Sequence, residues 1–256
     1  MRLVTKPPAD MLLSSLKKNI WFVAILVTLG FIGCIGVAKV ATVAFAFDKG
    51  EAGHFTVFSV ARFLWIGLLV YFTTRYKILV RPMLGFDRDA LFRSVGFVVA
   101  FVLLGSIAFG KVWTFKYLGV GALSLYLLHY VLVAAAEELT FRGLVFSVLT
   151  KKYSFLISAL ISSFLFGIIH YGNLVNPDQT FDGITSQVIL AFGIGMYFCG
   201  SLLRSGSLIA PIVIHFLFNV ALGGGLQEIA GIPQREEVVE SSSKNRIFRL
   251  ISSQLI

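Results

Sequence analysis

The stretch Tyr117–Arg142 reads YLGVGALSLYLLHYVLVAAAEELTFR, and its two parts pull in opposite directions. From Tyr117 to Ala136 run 20 residues without a formal charge, enough to cross the hydrocarbon core of a bilayer as a helix. Three ionisable side chains, Glu137, Glu138 and Arg142, then follow within six positions. A charged side chain at the centre of a lipid-embedded helix costs about 2.5–3.5 kcal/mol even on a lenient insertion scale. Partners elsewhere in the chain must offset that cost, so intramembrane charge is read first as a functional site.

The rest of the chain agrees with a membrane setting. A soluble domain carries about 25% charged residues. This chain of 256 residues carries 14%, against 57% hydrophobic residues and a mean hydropathy of +0.87. Apolar segments fall at 20–46, 55–74, 92–110, 117–149, 153–170, 183–203 and 206–226. The fold class expected is all-α, a polytopic transmembrane helix bundle of about seven to eight spans. The fourth segment is long for one crossing, near 50 Å at about 1.5 Å per residue, so it tilts or leaves the bilayer. Cys34 and Cys199 both lie inside apolar runs, which excludes a disulfide framework and a CxxC metal site.

The formal net charge of +9 is organised by loop. Residues 1–19, residues 75–93, the Lys151–Lys152 turn and Arg204 together supply 12 cations, against Lys49, Lys111 and Lys116 in the alternate connections. That asymmetry is topogenic rather than a nucleic-acid stripe, and it puts the basic loops and the N-terminus in the cytoplasm. No nucleic-acid partner is expected. Three regions are expected: N-terminal transmembrane helices over 1–116, a catalytic helix bundle over 117–226 and a polar tail over 227–256. Ile247, Leu250, Ile251 and Leu255 give the tail the spacing of a short interfacial helix, though a loosely ordered tail fits equally well.

Three further polar residues interrupt apolar helices: His170, His215 and Asn219. Glu138 and Arg142 are four apart and share a helix face, so they can pair. Glu137 points about 100° away and is left for another helix. Counted from the basic turns, Glu137 lies about 21 Å deep, His170 about 27 Å, and His215 and Asn219 about 17 and 23 Å. One slab near mid-membrane therefore contains all four. Each residue alone has a structural reading as helix–helix glue; the coincidence in depth favours a site. His54 is expected to sit at the interface and Arg62 and Lys39 to snorkel or pair; His129, eight residues before Glu137 on a loosely similar face, is expected to pack, with support of the site as the alternative.

A carboxylate and an imidazole can take a proton from water for attack on a peptide carbonyl, and a second His with an Asn can stabilise the oxyanion. The same residues, Glu137, His170 and His215, can instead hold a divalent metal such as zinc that acidifies the water. The sequence has no HExxH and no GxSxG beside a plausible base, which argues against a zincin or a serine hydrolase. A proton- or ion-coupled transporter would also use buried Glu and His, but no internal repeat is evident.

Taken in order, EExxFR (Glu137, Glu138, Phe141, Arg142), FxxxH (Phe166 to His170) and HxxxN (His215 to Asn219) resemble the CPBP family. These are the type II CAAX prenyl protease and bacteriocin-processing (Abi) membrane proteins. The flanks resemble it too: Phe-Arg-Gly at 141–143, Phe-Gly-x-x-His-x-x-Asn at 166–173 and Gly-Ser-Leu-x-Ala-Pro at 206–211. The likeness spans roughly residues 120–225. It implies that Glu137 is the catalytic carboxylate, His170 its partner in activating water, and His215 with Asn219 the oxyanion site. Glu138 and Arg142 are implied as support. A metal-dependent and a metal-free glutamate mechanism both remain open. The activity implied is an intramembrane endopeptidase in the cell membrane, cutting a membrane-associated protein or peptide, either a prenylated C-terminus or a bacteriocin or signal peptide. The competing reading is a non-catalytic membrane scaffold that uses the same polar cavity.

Overall fold

The computed structural model describes residues 19–47, 52–75, 95–114, 120–175 and 179–222. The N-terminal basic segment, most of the 75–93 loop and the 227–256 tail with its expected interfacial helix lie outside the described residues. Every element among those described is helical. Helix α1 is Ile20–Ala44, α2 Ala52–Arg75 and α3 Val95–Thr114. The continuous span Val120–Leu149 is α4, and α5 is Phe155–Val175, α6 Phe181–Ser205 and α7 Ile209–Leu222. Six of these are long and apolar enough to cross a membrane; α7, expected over 206–226, is a shorter apolar helix within the described residues.

Local signals set the ends. Asn19, Ser154 and Thr180 cap α1, α5 and α6 by accepting from the backbone N–H three residues on. Gly206 ends α6 at φ 66, a left-handed conformation that suits glycine, and its N–H returns to Leu202 O at 2.8 Å. Outward faces are strongly apolar, as in Val37, Val40, Phe63, Leu103 and Ile189, all exposed. With no water in the hydrocarbon to hydrogen-bond the backbone, helices are the form such segments must take.

Packing puts α1 against α2, α2 against α4, α3 against α7, and α5 against α6. Small residues permit the closest approach: a Cβ on Gly167 of α5 would sit 2.9 Å from the Val188 carbonyl of α6. The main core joins Phe31, Trp65, Phe141, Leu144, Val145, Leu149, Phe166, Leu202 and Leu208.

The length of α4 has a specific resolution. It is α-helical to Glu138, widens to a π-helix over Leu139–Phe146, and closes as α-helix at Ser147–Leu149. Residues 138–149 are all buried, so this end of α4 is sheathed by protein rather than projecting from the bundle. Hydroxyls from the same and neighbouring helices stabilise the widened turn. Ser162 of α5 donates to Phe141 O at 2.8 Å, and Ser147 to Arg142 O at 3.0 Å. Thr140 donates to Ala136 O at 2.6 Å and accepts from Trp65 Nε1 at 2.9 Å. π-Turns inside α-helices recur at functional sites, and this one begins directly after the two glutamates.

Candidate active site in the membrane bundle

A cavity of about 510 Å³ opens among the helices, lined in part by Glu137, His170, His215 and Asn219. The four residues brought to one depth by counting are therefore also brought to one cavity. Glu138 is not on its wall; it is fully buried behind it.

Glu138 is the organising acceptor. Its Oε1 accepts from Arg142 Nη1 at 3.0 Å and from His215 Nδ1 at 2.8 Å. The first contact is the expected i, i+4 pair. The second joins residues 77 apart in sequence and fixes the His215 ring. Further restraint comes from Phe198, stacked on that ring at 5.1 Å, and from Phe166, edge-on at 5.9 Å. His215 Nε2 then faces Glu137 Oε2 at 3.6 Å, too long for a hydrogen bond.

Arg142 is also fully buried. Besides Glu138, its guanidinium carbon lies 4.3 Å from the Phe166 ring centroid and 5.1 Å from that of Phe198. A desolvated cation on aromatic faces gains about 2 kcal/mol or more, which offsets part of its burial. Room for the group depends on Gly195: a Cβ there would sit 2.8 Å from Arg142 Nη2 and 3.0 Å from Ser163 Oγ. Arg142 is held on three sides and cannot retreat. Gly195→Ala should therefore lower stability by about 1–3 kcal/mol through overpacking. Gly200→Ala, with nothing within 4 Å of the added carbon, is the control. Thermal unfolding in detergent checks the pair.

His170 sits where α5 tightens from α-helix to 3₁₀-helix. Its Nδ1 is 2.9 Å from Phe166 O, and a carbonyl only accepts, so Nδ1 carries the proton. In the neutral ring Nε2 is then the proton-accepting nitrogen. Asn219, one turn beyond His215 on α7, is half-buried on the same wall.

Two cations that were expected to snorkel or pair also face the cavity. Arg62 of α2 does not snorkel: it is 9% exposed, donates from Nη1 to Phe58 O at 3.3 Å, and lies within electrostatic range of Glu137. Lys39 of α1 donates to Gly172 O at 3.0 Å. His129 packs as expected, edge-on to Phe55 at 4.9 Å and hydrogen-bonded to Ser59 at 3.2 Å, yet it lines the cavity too. The sequence signal for Arg62 and Lys39 was only their charge within apolar runs, whereas His129 also had its eight-residue spacing to Glu137.

Among the described residues, no group of three or more His, Cys, Asp or Glu side chains could hold a metal ion. His215 and His170 engage Nδ1 with Glu138 and with the Phe166 carbonyl, which leaves Nε2 of each as the nitrogen able to take a proton or a ligand.

No curated protein and no solved structure matches the chain. Lys39 and Arg62 lie outside residues 118–221, the stretch that a family model matches. Residues 118–221, which supply both glutamates, Arg142, His170, His215 and Asn219, match the family described as Type II CAAX prenyl endopeptidase Rce1-like, and at the family level this likeness is to an intramembrane protease of the CAAX type.

Proposed function

We propose that the protein is a multi-pass intramembrane endopeptidase in which Glu137 and His170 activate a water and His215 with Asn219 receives the oxyanion. The observation that carries this reading is the division of labour between the adjacent glutamates. Glu138 is buried and spent on Arg142 and His215, while Glu137 faces the cavity with no hydrogen bond to His215. A carboxylate free to meet water beside a fixed imidazole is what general-base hydrolysis needs.

The reaction balances without a further reagent. Water gives a proton to Glu137, assisted by His170, and its oxygen bonds to the peptide carbonyl carbon. The carbonyl oxygen becomes an oxyanion, for which Asn219 Nδ2 and His215 Nε2 act as donors when Nε2 carries a proton. Collapse breaks the C–N bond, and the proton held by the glutamate passes to the leaving amine. Products are a carboxylic acid and an amine. Preorganised donors at the oxyanion contribute more in a water-poor site than in bulk, because no solvent must reorient. No step is assigned to a metal, as among the described residues no group of three or more His, Cys, Asp or Glu side chains is placed to hold one.

Purified protein assayed on a membrane-peptide library tests the reading. Wild type should cut, His170→Ala should lose about 10²–10⁴-fold in rate as expected for a lost acid–base group, and chelator should leave both unchanged. Loss with chelator that zinc restores would replace the metal-free chemistry with a metal-dependent one. A wild type that binds peptides and cuts none would favour the scaffold reading.

A further inference from the structure

The turn that follows Glu137 and Glu138 is held from outside its own helix. Where α4 widens over Leu139–Phe146, i→i+5 bonding replaces the α-helical pattern, and backbone groups near the junction need other partners. Side-chain hydroxyls donate to three of the carbonyls there, Ala136 O, Phe141 O and Arg142 O. Ala136 O belongs to the peptide unit that leads into Glu137, so its bonding bears on where that carboxylate points. Thr140 Oγ1 donates to it at 2.6 Å and accepts from Trp65 Nε1 of α2 at 2.9 Å. Both residues are buried, Thr140 fully. A buried indole N–H needs an acceptor, and a hydroxyl that accepts from it has its own proton directed elsewhere, here onto Ala136 O. The relay thus runs from the Trp65 N–H through the Thr140 hydroxyl to the carbonyl beside Glu137.

Trp65 itself has little freedom. A Cβ on Gly30 of α1 would sit 2.7 Å from Trp65 Cη2 and 3.1 Å from Cζ3, so the indole lies against bare backbone. Phe31 closes on it with ring centroids 6.1 Å apart, and Phe31 is edge-on to Phe141 of the π-turn at 5.9 Å. Arg62, three residues before Trp65 and so on the same face of α2, lines the cavity together with Glu137. One face of α2 therefore meets the turn of the glutamates twice, once across the cavity and once at its backbone.

We propose that Trp65, acting through Thr140, is a positioning residue for Glu137, fixing the peptide unit that sets the direction of its carboxylate. The role rests on the endopeptidase reading above for what Glu137 does. Two effects of different size meet here. One neutral hydrogen bond contributes modestly to folding stability. Misplacing a reacting group by about 1 Å costs about 10²-fold in rate, even when the altered residue is remote from the chemistry. A lost relay should therefore show in turnover far more than in stability.

Variants of the full chain separate the relay from packing. Trp65→Phe keeps a ring on Gly30 and removes the N–H; Thr140→Val keeps nearly the same shape and removes the hydroxyl; Thr140→Ser keeps the hydroxyl. On a membrane peptide that wild type cuts, Trp65→Phe and Thr140→Val should each lower kcat by about 10–10²-fold, with KM within about twofold of wild type. Thr140→Ser should stay near the wild-type rate. Trp65→Phe/Thr140→Val should be no slower than Thr140→Val alone, because the N–H acts only through the hydroxyl. Trp21→Phe is the control. It removes a bond of the same kind, Nε1 to the Tyr153 hydroxyl at 2.8 Å, next to the Lys151–Lys152 turn, and should leave kcat unchanged. Unchanged kcat in Trp65→Phe and Thr140→Val, multiplied losses in the double variant, a Thr140→Ser as slow as Thr140→Val, or a Trp21→Phe as slow as Trp65→Phe would each overturn the proposal. Backbone hydrogen exchange gives an arm that needs no cleavage. Faster exchange over residues 136–146 in both Trp65→Phe and Thr140→Val, with α6 unchanged, supports the relay. Unchanged exchange there, or a rise throughout the bundle, overturns it. If wild type cuts nothing, the endopeptidase reading falls while exchange still decides whether Trp65 holds the turn of Glu137.

Discussion

Arg142→Met is expected to lower stability by about 3–5 kcal/mol, the cost of removing one partner from a buried ion pair. The methionine side chain can fill the slot between Phe166 and Phe198, so lost packing contributes little. What remains is Glu138, fully buried, with only His215 Nδ1 on its Oε1 and no partner on Oε2. Glu138→Gln leaves the converse problem, a buried guanidinium whose Nε and Nη2 already lack hydrogen-bond partners. The amide oxygen of Gln can still accept from His215, so the ring keeps its orientation while Arg142 loses its counter-charge. The double variant Glu138→Gln/Arg142→Met has no uncompensated charge and should be more stable than the sum of the singles implies, by about 0.5–3 kcal/mol. Unfolding midpoints of the four proteins in detergent measure this cycle. Additive losses would mean that the two side chains do not act as a unit.

How much of this was legible beforehand follows from what each feature depends on. Span positions depend on length and hydropathy, and α1, expected at 20–46, runs Ile20–Ala44. The Glu138–Arg142 pair depends on helical spacing alone and forms at 3.0 Å. Depth was legible as well, because rise per residue is constant, and the four residues at one level line one cavity. Lateral neighbours were not legible. Only the resemblance carried by the EExxFR and HxxxN runs implies that α4 and α7 share a site, and nothing in the residues indicates the Glu138–His215 bond itself.

The π-helix escaped for a different reason. It adds about one residue to a turn, and over only eight residues, Leu139–Phe146, the pattern is too short to show the shift in register. Arg62 and Lys39 were visible as charges in apolar runs but not as cavity residues. Their side chains are long enough to reach an interface, so only the packing of α1 and α2 on α4 decides where they point.

Glu137→Gln is expected to reduce kcat/KM by about 10²–10⁴-fold, the usual contribution of a positioned general base. Stability should change by no more than about 0.5 kcal/mol, as for a substitution away from buried networks. The opposite behaviour of neighbouring glutamates follows from where each sits. Glu138 is sealed in the protein with two donors on one oxygen, whereas the Glu137 side chain is 13% exposed to the cavity. Its contact with His215 Nε2 at 3.6 Å is not a hydrogen bond whose loss would be felt. The amide keeps the shape of the carboxylate but cannot take a proton from water. Arg62 is the residue that would make this prediction fail. It loses its negative neighbour in Glu137→Gln, and a buried cation left alone is costly. Arg62 also lines the cavity, so water within it can solvate the guanidinium in place of the carboxylate. A Glu137→Gln protein that unfolds as early as Glu138→Gln would show that Glu137 serves Arg62 as a structural counter-ion. One that unfolds like wild type and has lost cleavage would leave chemistry as the reason for its charge.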